Sequence, residues 1–264
     1  MALIVLTSAS GSPGVTTSAL GLALSWPRPS LLVEADPTGG SGILAGYFHG
    51  DVAHIGGLID LALAHREGTL GDAIAGATMP IPDTAVQLLP GIRGHSQARS
   101  LIPLWEPLSG ALRALERNGQ DVIVDAGRLG LAGSPEPLIY GADLTLLVTR
   151  STLPALSGAR SWAQTLRGEF GRMGASSSLG VLLVGDGEPY GAREVAKVLQ
   201  IPVTASLALD QEAAAVFSRG ANPPRRFESS QLLRGLRAAA SAIQSVVNAN
   251  RASLGATPDA RSLG

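Results

Sequence analysis

The sequence predicts an α/β domain with a doubly wound, mostly parallel sheet of about seven strands and helices on both faces. Short runs rich in Val, Ile and Leu have the composition of strands that are buried on both faces. Segments with apolar residues at helical spacing lie between these runs, and strands that alternate with helices form parallel sheets. No internal repeat or linker divides the chain. We therefore expect one domain over residues 1–250 and a flexible tail over 251–264.

The individual elements follow in chain order. The predicted strands are 2–7, 30–36, 86–89, 121–128, 144–150, 179–184 and 201–207. The predicted helices are 16–24, 55–64, 70–75, 104–118, 153–170, 192–199, 211–218 and 229–248. Residues 78–83 are predicted to form a loop broken by proline, and residues 90–100 a polar loop.

The composition excludes several classes of protein. A net charge of -1 argues against a strongly basic nucleic-acid-binding protein. The absence of cysteine excludes disulfides, thiolate zinc sites and cysteine nucleophiles, and the four histidines lack the spacing of metal ligands on one helix. No apolar run approaches the roughly 18 residues of a membrane span, and no cleavable leader is recognisable. We expect a cytoplasmic protein, with peripheral attachment to a membrane through a partner as an alternative.

The segment 8–17 (SASGSPGVTT) joins the first buried strand to the first helix. Gly11 and Gly14 permit a tight turn, and Thr16 or a neighbour opens the helix. The free N–H groups at a helix start attract anions such as phosphate. This crossover is therefore the predicted anion site. A purely structural role stays open, with the glycines serving the turn and Thr16 serving as a helix cap.

Acidic residues follow several of the buried strands. Glu34 and Asp36 end the second strand, Asp125 lies at the end of strand 121–128, and Asp186 follows strand 179–184. The carboxyl ends of parallel strands meet at one edge of the sheet, where α/β proteins bind ligands. We expect Asp36 and Asp125 to cluster with Thr16 in a geometry suited to Mg²⁺, which prefers oxygen ligands.

Three segments together resemble the ParA/MinD group of P-loop ATPases. Residues 10–17 (SGSPGVTT) are similar to the deviant Walker A loop of that family, KGGxGKTT. Residues 34–37 (EADP) are similar to its Asp-x-Asp-Pro element, and residues 121–127 (DVIVDAG) look like its Walker B strand. Later segments are similar to its C-terminal half, so the resemblance covers about residues 1–245.

The resemblance implies that ATP and Mg²⁺ are cofactors. Thr16, Asp125 and Asp36 would hold Mg²⁺, Asp36 would also be the catalytic acid that positions water, and Asp186 would lie near the base. The residues that would bind the nucleotide are Gly11, Ser12, Pro13, Gly14, Val15, Thr16 and Thr17. The resemblance also implies a homodimer that acts with a protein partner. The roles implied are intracellular positioning, chromosome partitioning, or assembly of a surface or secretion apparatus.

The chain departs from the family at both P-loop lysines. Ser10 and Val15 occupy those positions, and Lys197 is the only lysine in the sequence. A charge-assisted hydrogen bond to an anion contributes about 1.5–3 kcal/mol, so the loss of two lysines would cost roughly 3–6 kcal/mol of phosphate affinity. That is about two to four decades in the dissociation constant. The arginines near strand ends that could replace them are Arg128, Arg150 and Arg93.

Two main functional hypotheses follow. The first is a ParA/MinD-like positioning protein with weak ATP binding and slow or absent hydrolysis. The second is a nucleotide-free pseudo-ATPase that acts as a protein-interaction scaffold, in which Val15 packs over the emptied loop and Ser10 and Ser12 close the turn by local hydrogen bonds. A small-molecule kinase or synthetase on the same fold is a third hypothesis, for which the sequence carries no acceptor-site signal.

Arg225 and Arg226 offer a weak, nonspecific contact to DNA, although so few charges favour a solvated face.

Overall fold

The computed structural model describes residues 2–10, 12–115 and 119–255. The strands within these residues are β1 (Leu3–Ser8), β2 (Ser30–Glu34), β3 (Met79–Pro80), β4 (Val86–Leu89), β5 (Asp121–Arg128), β6 (Leu144–Arg150), β7 (Leu179–Val184) and β8 (Val203–Leu207). They form one eight-stranded sheet in the order β3-β4-β2-β5-β1-β6-β7-β8. Every pair is parallel except the edge pair of β3 with β4. The predicted fold class is therefore confirmed.

Helices cover both faces of this sheet. The helices of the described residues are α1 (Val15–Leu24), α2 (Leu58–Arg66), α3 (Leu70–Ala77), α4 (Ile102–Ala114), α5 (Glu136–Gly141), α6 (Leu153–Arg172), α7 (Ala192–Leu199), α8 (Gln211–Arg219) and α9 (Gln231–Gly255). Leu3 and Val5 of β1 point into a core shared with α2 to α7. Ile4 and Leu6 point into a second core shared with α1, α8 and α9. Alternate side chains of the central strand thus build two cores, as expected for a sheet buried on both sides.

The structure differs from the sequence prediction in several boundaries, such as the start of α2 at Leu58, and in elements that were not predicted, including a 3-10 helix at His95–Leu101 within the predicted loop 90–100. β3 lies inside the predicted loop 78–83, where its proline occupies an edge position that needs no ladder N–H. α5 has only six residues, too few to show a helical period. α9 continues to Gly255, so its last turn extends into the segment predicted as a tail. The remainder of that segment, 256–264, and the predicted helix end at 116–118 lie outside the described residues.

The centre of the sheet positions the candidate site. β1 lies between β5 and β6, and its pairing with β5 shifts register between Leu6, opposite Asp125, and Ser8, opposite Arg128. β5 therefore carries an extra residue in this stretch, where Gly127 adopts a φ of 62°. This is a β-bulge, a feature that bends a strand and redirects its side chains. None of the described helices combines the length and the apolar character needed to cross a bilayer.

Candidate functional site

The crossover from β1 to α1 ends at Gly14 in a left-handed conformation, with φ 101° and ψ 38°. Gly14 is the N-cap residue of α1, and no side chain caps this helix. The first hydrogen bond within α1 runs from the N–H of Ser18 to the carbonyl oxygen of Gly14 at 2.8 Å. The N–H groups that precede Ser18 in the first turn have no acceptor within the helix, so they are available to another acceptor. The helix begins at Val15, one residue before Thr16. Gly11 lies outside the described residues, so its predicted role in the turn stays a prediction.

A cleft of about 500 Å³ opens in front of this helix start and is called the first cleft below. Loop residues 12–17 line one side of the first cleft. Asp36 and Thr38, which follow β2, and Arg128, which ends β5, line the other. The volume lies within the range of small-molecule sites, roughly 300–1,000 Å³. The structure thus brings the predicted loop and Asp36 to one cavity.

Asp125 is the buried carboxylate of this site, with 2% of its surface exposed. It accepts hydrogen bonds from the hydroxyl of Thr16 and from the N–H of Gly127, the latter at 3.0 Å. Burial raises the pKa of Asp125 to about 6, the two hydrogen bonds oppose this, and the charge of Asp36 raises it further. A cation beside Asp125 would favour its ionised form.

Asp36 lies directly over Gly127. One carboxylate oxygen of Asp36 accepts bonds from the N–H and the hydroxyl of Thr38, both at 2.8 Å. A Cβ at position 127 would overlap the carboxyl group of Asp36. Glycine is therefore required there for two reasons, the positive φ and the close approach of Asp36. The bulge in β5 holds Asp36 close to Asp125 and Thr16.

Glu34 is a second buried carboxylate with a structural role. It accepts hydrogen bonds from the hydroxyl of Ser41 at 2.5 Å and from the N–H of Ile43 at 3.2 Å. Burial raises the pKa of Glu34 to about 7 against these hydrogen bonds, and the charge of Asp125 adds to the rise. Glu34 does not line the first cleft. It fixes the turn that follows β2.

The two lysine positions of the family are occupied by packed side chains. Val15 is 7% exposed and belongs to the core between α1 and the sheet. Ser10 lies against Gly158 of α6, where a Cβ would overlap its hydroxyl group. With other described residues, the hydroxyls of Ser10 and Ser12 form no hydrogen bond. Lys197 lines a groove between α6 and α7 and is not among the residues of the first cleft.

A second cleft of about 480 Å³ adjoins the first and shares Ser12, Pro13, Gly14 and Thr17 with it. Its further lining includes Arg150, Val184, Leu207, Leu209, Asp210 and Arg219. Sequence reasoning missed this cavity because its residues come from separate elements without a shared motif. The available signal was weak: positions 150, 184 and 207 end three neighbouring parallel strands, and such ends meet at one sheet edge.

Asp186 lines neither cleft. One of its carboxylate oxygens accepts the N–H of Ala192 at 2.8 Å, and the other accepts the hydroxyl of Ser206 at 2.9 Å. Asp186 thereby joins the start of α7 to β8. The structure gives no support to its predicted contact with a base, because a strand end predicts where a residue lies but not where its side chain points.

The donor set of the first cleft fits Mg²⁺ but does not complete its coordination. Among the described residues, no group of three or more His, Cys, Asp or Glu side chains could hold a metal ion. A P-loop Mg²⁺ site needs no such group, because a Ser or Thr hydroxyl, phosphate oxygens and waters supply its ligands. The Thr16 hydroxyl beside the carboxylates of Asp125 and Asp36 provides hard oxygen donors of this kind.

Arg225 and Arg226 belong to a basic patch that also includes Arg219, Arg234 and Arg237, and this patch is partly neutralised. Arg225 and Arg226 are exposed in the loop before the turn Phe227–Ser229. On the next helix, however, Arg237 forms an ion pair with Glu228. The patch therefore presents less positive charge than its arginine count indicates.

The fold and the site define a class: α/β proteins whose first strand-to-helix crossover faces a ligand cleft at the centre of the sheet. No family sequence model matches the chain, and no curated protein matches it in sequence. The cell division ATPase MinD of Pyrococcus furiosus matches with a TM-score of 0.71 and 18% identity, covering 93% of this chain and 100% of that chain. The septum site-determining protein MinD of Pyrococcus horikoshii OT3, complexed with Mg-ADP, matches with a TM-score of 0.69 and 18% identity over 95% and 99% of the two chains.

A ParA family ATPase of Chlorobium tepidum TLS has a TM-score of 0.69 and 17% identity, covering 91% of this chain and 99% of that chain. At sequence identities of 17–18%, these structural similarities establish the fold alone. The chain therefore has the ParA/MinD-like P-loop ATPase fold predicted from its motifs.

Proposed function

We propose that the chain is a ParA/MinD-like positioning protein that binds Mg-ATP weakly and hydrolyses it slowly or not at all. One observation carries the proposal: the parts of a nucleotide site are present without its lysines. The Gly14 turn, the start of α1, Thr16 and Asp36 line the first cleft, and the buried Asp125 lies behind them and accepts a hydrogen bond from Thr16. Under this proposal the chain serves intracellular positioning, chromosome partitioning, or assembly of a surface or secretion apparatus.

The retained groups suit the different parts of the ligand. The N–H groups at the start of α1 would bind phosphate oxygens, Thr16 would ligate Mg²⁺, and Asp125 and Asp36 would hold its water shell. Bound Mg²⁺ would neutralise charge on the β- and γ-phosphates. The second cleft, which shares loop residues with the first and has apolar walls, would take the nucleoside. The Mg-ADP complex of the P. horikoshii protein supports this choice of ligand.

Slow hydrolysis follows from the missing cations. Charge that develops on the phosphates is normally stabilised by lysine or arginine groups, and each such donor is worth about 1.5–3 kcal/mol or more in a closed site. Asp36 would position the attacking water, as the resemblance implies. Its carboxylate is already engaged by Thr38, so this role requires its other oxygen.

A nucleotide-free scaffold is the second candidate function, and the burial of Val15 favours it. A core side chain in the place of the P-loop lysine removes a phosphate contact and adds packing. The scaffold hypothesis expects Ser10 and Ser12 to close the turn by local hydrogen bonds. Their hydroxyls form no such bond with other described residues. Asp125, whose pKa burial raises to about 6, accepts a hydrogen bond from the cleft residue Thr16, and this arrangement supports a ligand site over a scaffold.

Several further features belong to the same proposal. We propose one domain over residues 1–250, a homodimer as the working unit, a protein partner, and a cytoplasmic location with peripheral membrane attachment through that partner as the alternative. A nonspecific DNA contact through Arg225 and Arg226 would be weak, given the small number of charges.

Calorimetric titration with Mg-ATP and with its non-hydrolysable imido analogue tests the proposal. We expect measurable binding that is roughly two to four decades weaker than in a loop with both lysines. Thr16→Ala should weaken binding in the presence of Mg²⁺ and have no effect in EDTA, because the hydroxyl acts through the metal. Lack of any binding by the wild type at millimolar nucleotide would contradict the proposal and favour the scaffold.

A further inference from the structure

The arginines near the strand ends differ in their surroundings. Arg93 donates a hydrogen bond to the carbonyl oxygen of Ile55 at 3.1 Å and lines a separate pocket with His54. Arg150 lines the second cleft, on the side of the loop away from Asp36. Among the described residues that line the first cleft, Arg128 is the one cation. It shares that cleft with Thr16 and Asp36.

The bulge in β5 fixes the backbone on both sides of Arg128. The N–H of Gly127 donates to Asp125 at 3.0 Å, and the hydroxyl of Thr7 donates to the carbonyl oxygen of Gly127 at 3.1 Å. After Arg128, the N–H of Leu129 donates to the carbonyl oxygen of Ser8 at 2.8 Å. Arg128 is thus anchored opposite Ser8, at the point where β1 enters the loop.

Within the described residues, the guanidinium group of Arg128 meets no competing partner. Its side chain is exposed, and it forms neither a hydrogen bond nor an ion pair with any other residue that the structure describes. A guanidinium offers five N–H donors in a planar fork that matches phosphate oxygens. Arg128 therefore has both the position and the free donors needed to bind an anion in the first cleft.

We propose that Arg128 binds the terminal phosphates of the nucleotide from β5, in place of the lysines that the loop lacks. This inference rests on the proposed Mg-ATP site and adds a source of positive charge outside the loop. Thr16, which would hold Mg²⁺ beside the terminal phosphates, lines the same cleft as Arg128, so the guanidinium group would be within reach of those phosphates. Arg128 should accordingly discriminate ATP from AMP, which has neither phosphate.

Calorimetric titrations with Mg-ATP and with AMP test this role in the full chain. Arg128→Gln keeps a polar side chain and removes its charge, and it should weaken Mg-ATP binding about 10- to 100-fold. AMP binding should be unchanged. Arg128→Lys should retain most of the ATP affinity, because it keeps the charge. Arg93→Gln removes the same charge in a separate pocket and should change ATP affinity by about twofold or less.

The outcomes separate this inference from the proposed function. If the wild type binds Mg-ATP and Arg128→Gln binds it equally well, the role of Arg128 is wrong and the nucleotide site stands. If the wild type binds no Mg-ATP, both are wrong. An equal loss of AMP and ATP affinity, or a lowered melting temperature of ligand-free Arg128→Gln, would indicate a structural effect and would also contradict the proposal.

Discussion

The acidic side of the site, formed by Asp36 and Asp125, differs from the two lysine positions of the loop, 10 and 15, in the contacts that fix the side chains. On the acidic side, Asp125 accepts bonds from Thr16 and Gly127, and Asp36 accepts bonds from Thr38, so these groups are held without any ligand. At the lysine positions, Val15 belongs to the core and Ser10 packs against α6. The arrangement of Thr16, Asp36 and Asp125 therefore does not depend on the lysines and persists without them.

Replacing Gly127 should damage the acidic side most. Gly127→Ala places a Cβ on the carboxyl group of Asp36 at a φ of 62°. Backbone strain of about 1–2 kcal/mol and the loss of two Asp36 hydrogen bonds of about 1 kcal/mol each should lower the free energy of unfolding by about 3–4 kcal/mol. Urea denaturation measures this change, and Mg-dependent nucleotide binding should fall with it.

Gly40→Ala is the matched control for that substitution. Gly40 also has a positive φ, 73°, but a Cβ there meets nothing within 4 Å. It should cost about 1–2 kcal/mol, the backbone strain alone. Equal losses in the two variants would show that the approach of Asp36 to Gly127 contributes nothing.

The buried Glu34 should make stability depend on pH. Its pKa is raised from 4.5 to about 7, so the folded state binds the proton more tightly than the unfolded state. Stability should therefore be greatest near pH 4.5 and fall by roughly 3 kcal/mol, as far as this group is concerned, by pH 8. Glu34→Gln should remove that fall. The remaining fall in stability comes from Asp125, whose raised pKa of about 6 means that its contribution is lost by about pH 6.

Unfolding free energies of wild type and Glu34→Gln between pH 4.5 and 8 measure the difference. Glu67→Gln, at an exposed carboxylate, is the control and should leave the profile unchanged. Parallel profiles for wild type and Glu34→Gln would mean that Glu34 is not buried as described.

Restoring charge to the loop should strengthen nucleotide binding. Val15→Lys returns one phosphate contact worth about 1.5–3 kcal/mol, or roughly 10- to 100-fold in Mg-ATP affinity. Val15→Met, of similar length without charge, is the control and should give no gain. If Val15→Lys folds but binds no better than Val15→Met, the loop does not present this position to phosphate.

The sequence predicted the sheet and the acidic side of the cleft because both depend on local patterns. Asp36 and Asp125 follow buried strands, and parallel strand ends meet at one edge. The remaining features depend on contacts between distant segments. The close approach of Ser10 to Gly158, the bulge at Gly127 and the second cleft arise only when the strands are paired and the helices packed. The side chain of Asp186 turned to Ser206 for the same reason.

The proposed function requires that the loop between β1 and α1, which lacks both lysines, still binds Mg-nucleotide. Thermal unfolding of wild type and Thr16→Ala with saturating Mg-ATP, with and without EDTA, tests it most directly. A ligand at about 100 times its dissociation constant adds about 2.7 kcal/mol of stability. The melting temperature of the wild type should rise with Mg-ATP, and EDTA and Thr16→Ala should each reduce that rise. No shift at any ATP concentration, or a shift that neither change affects, would contradict it.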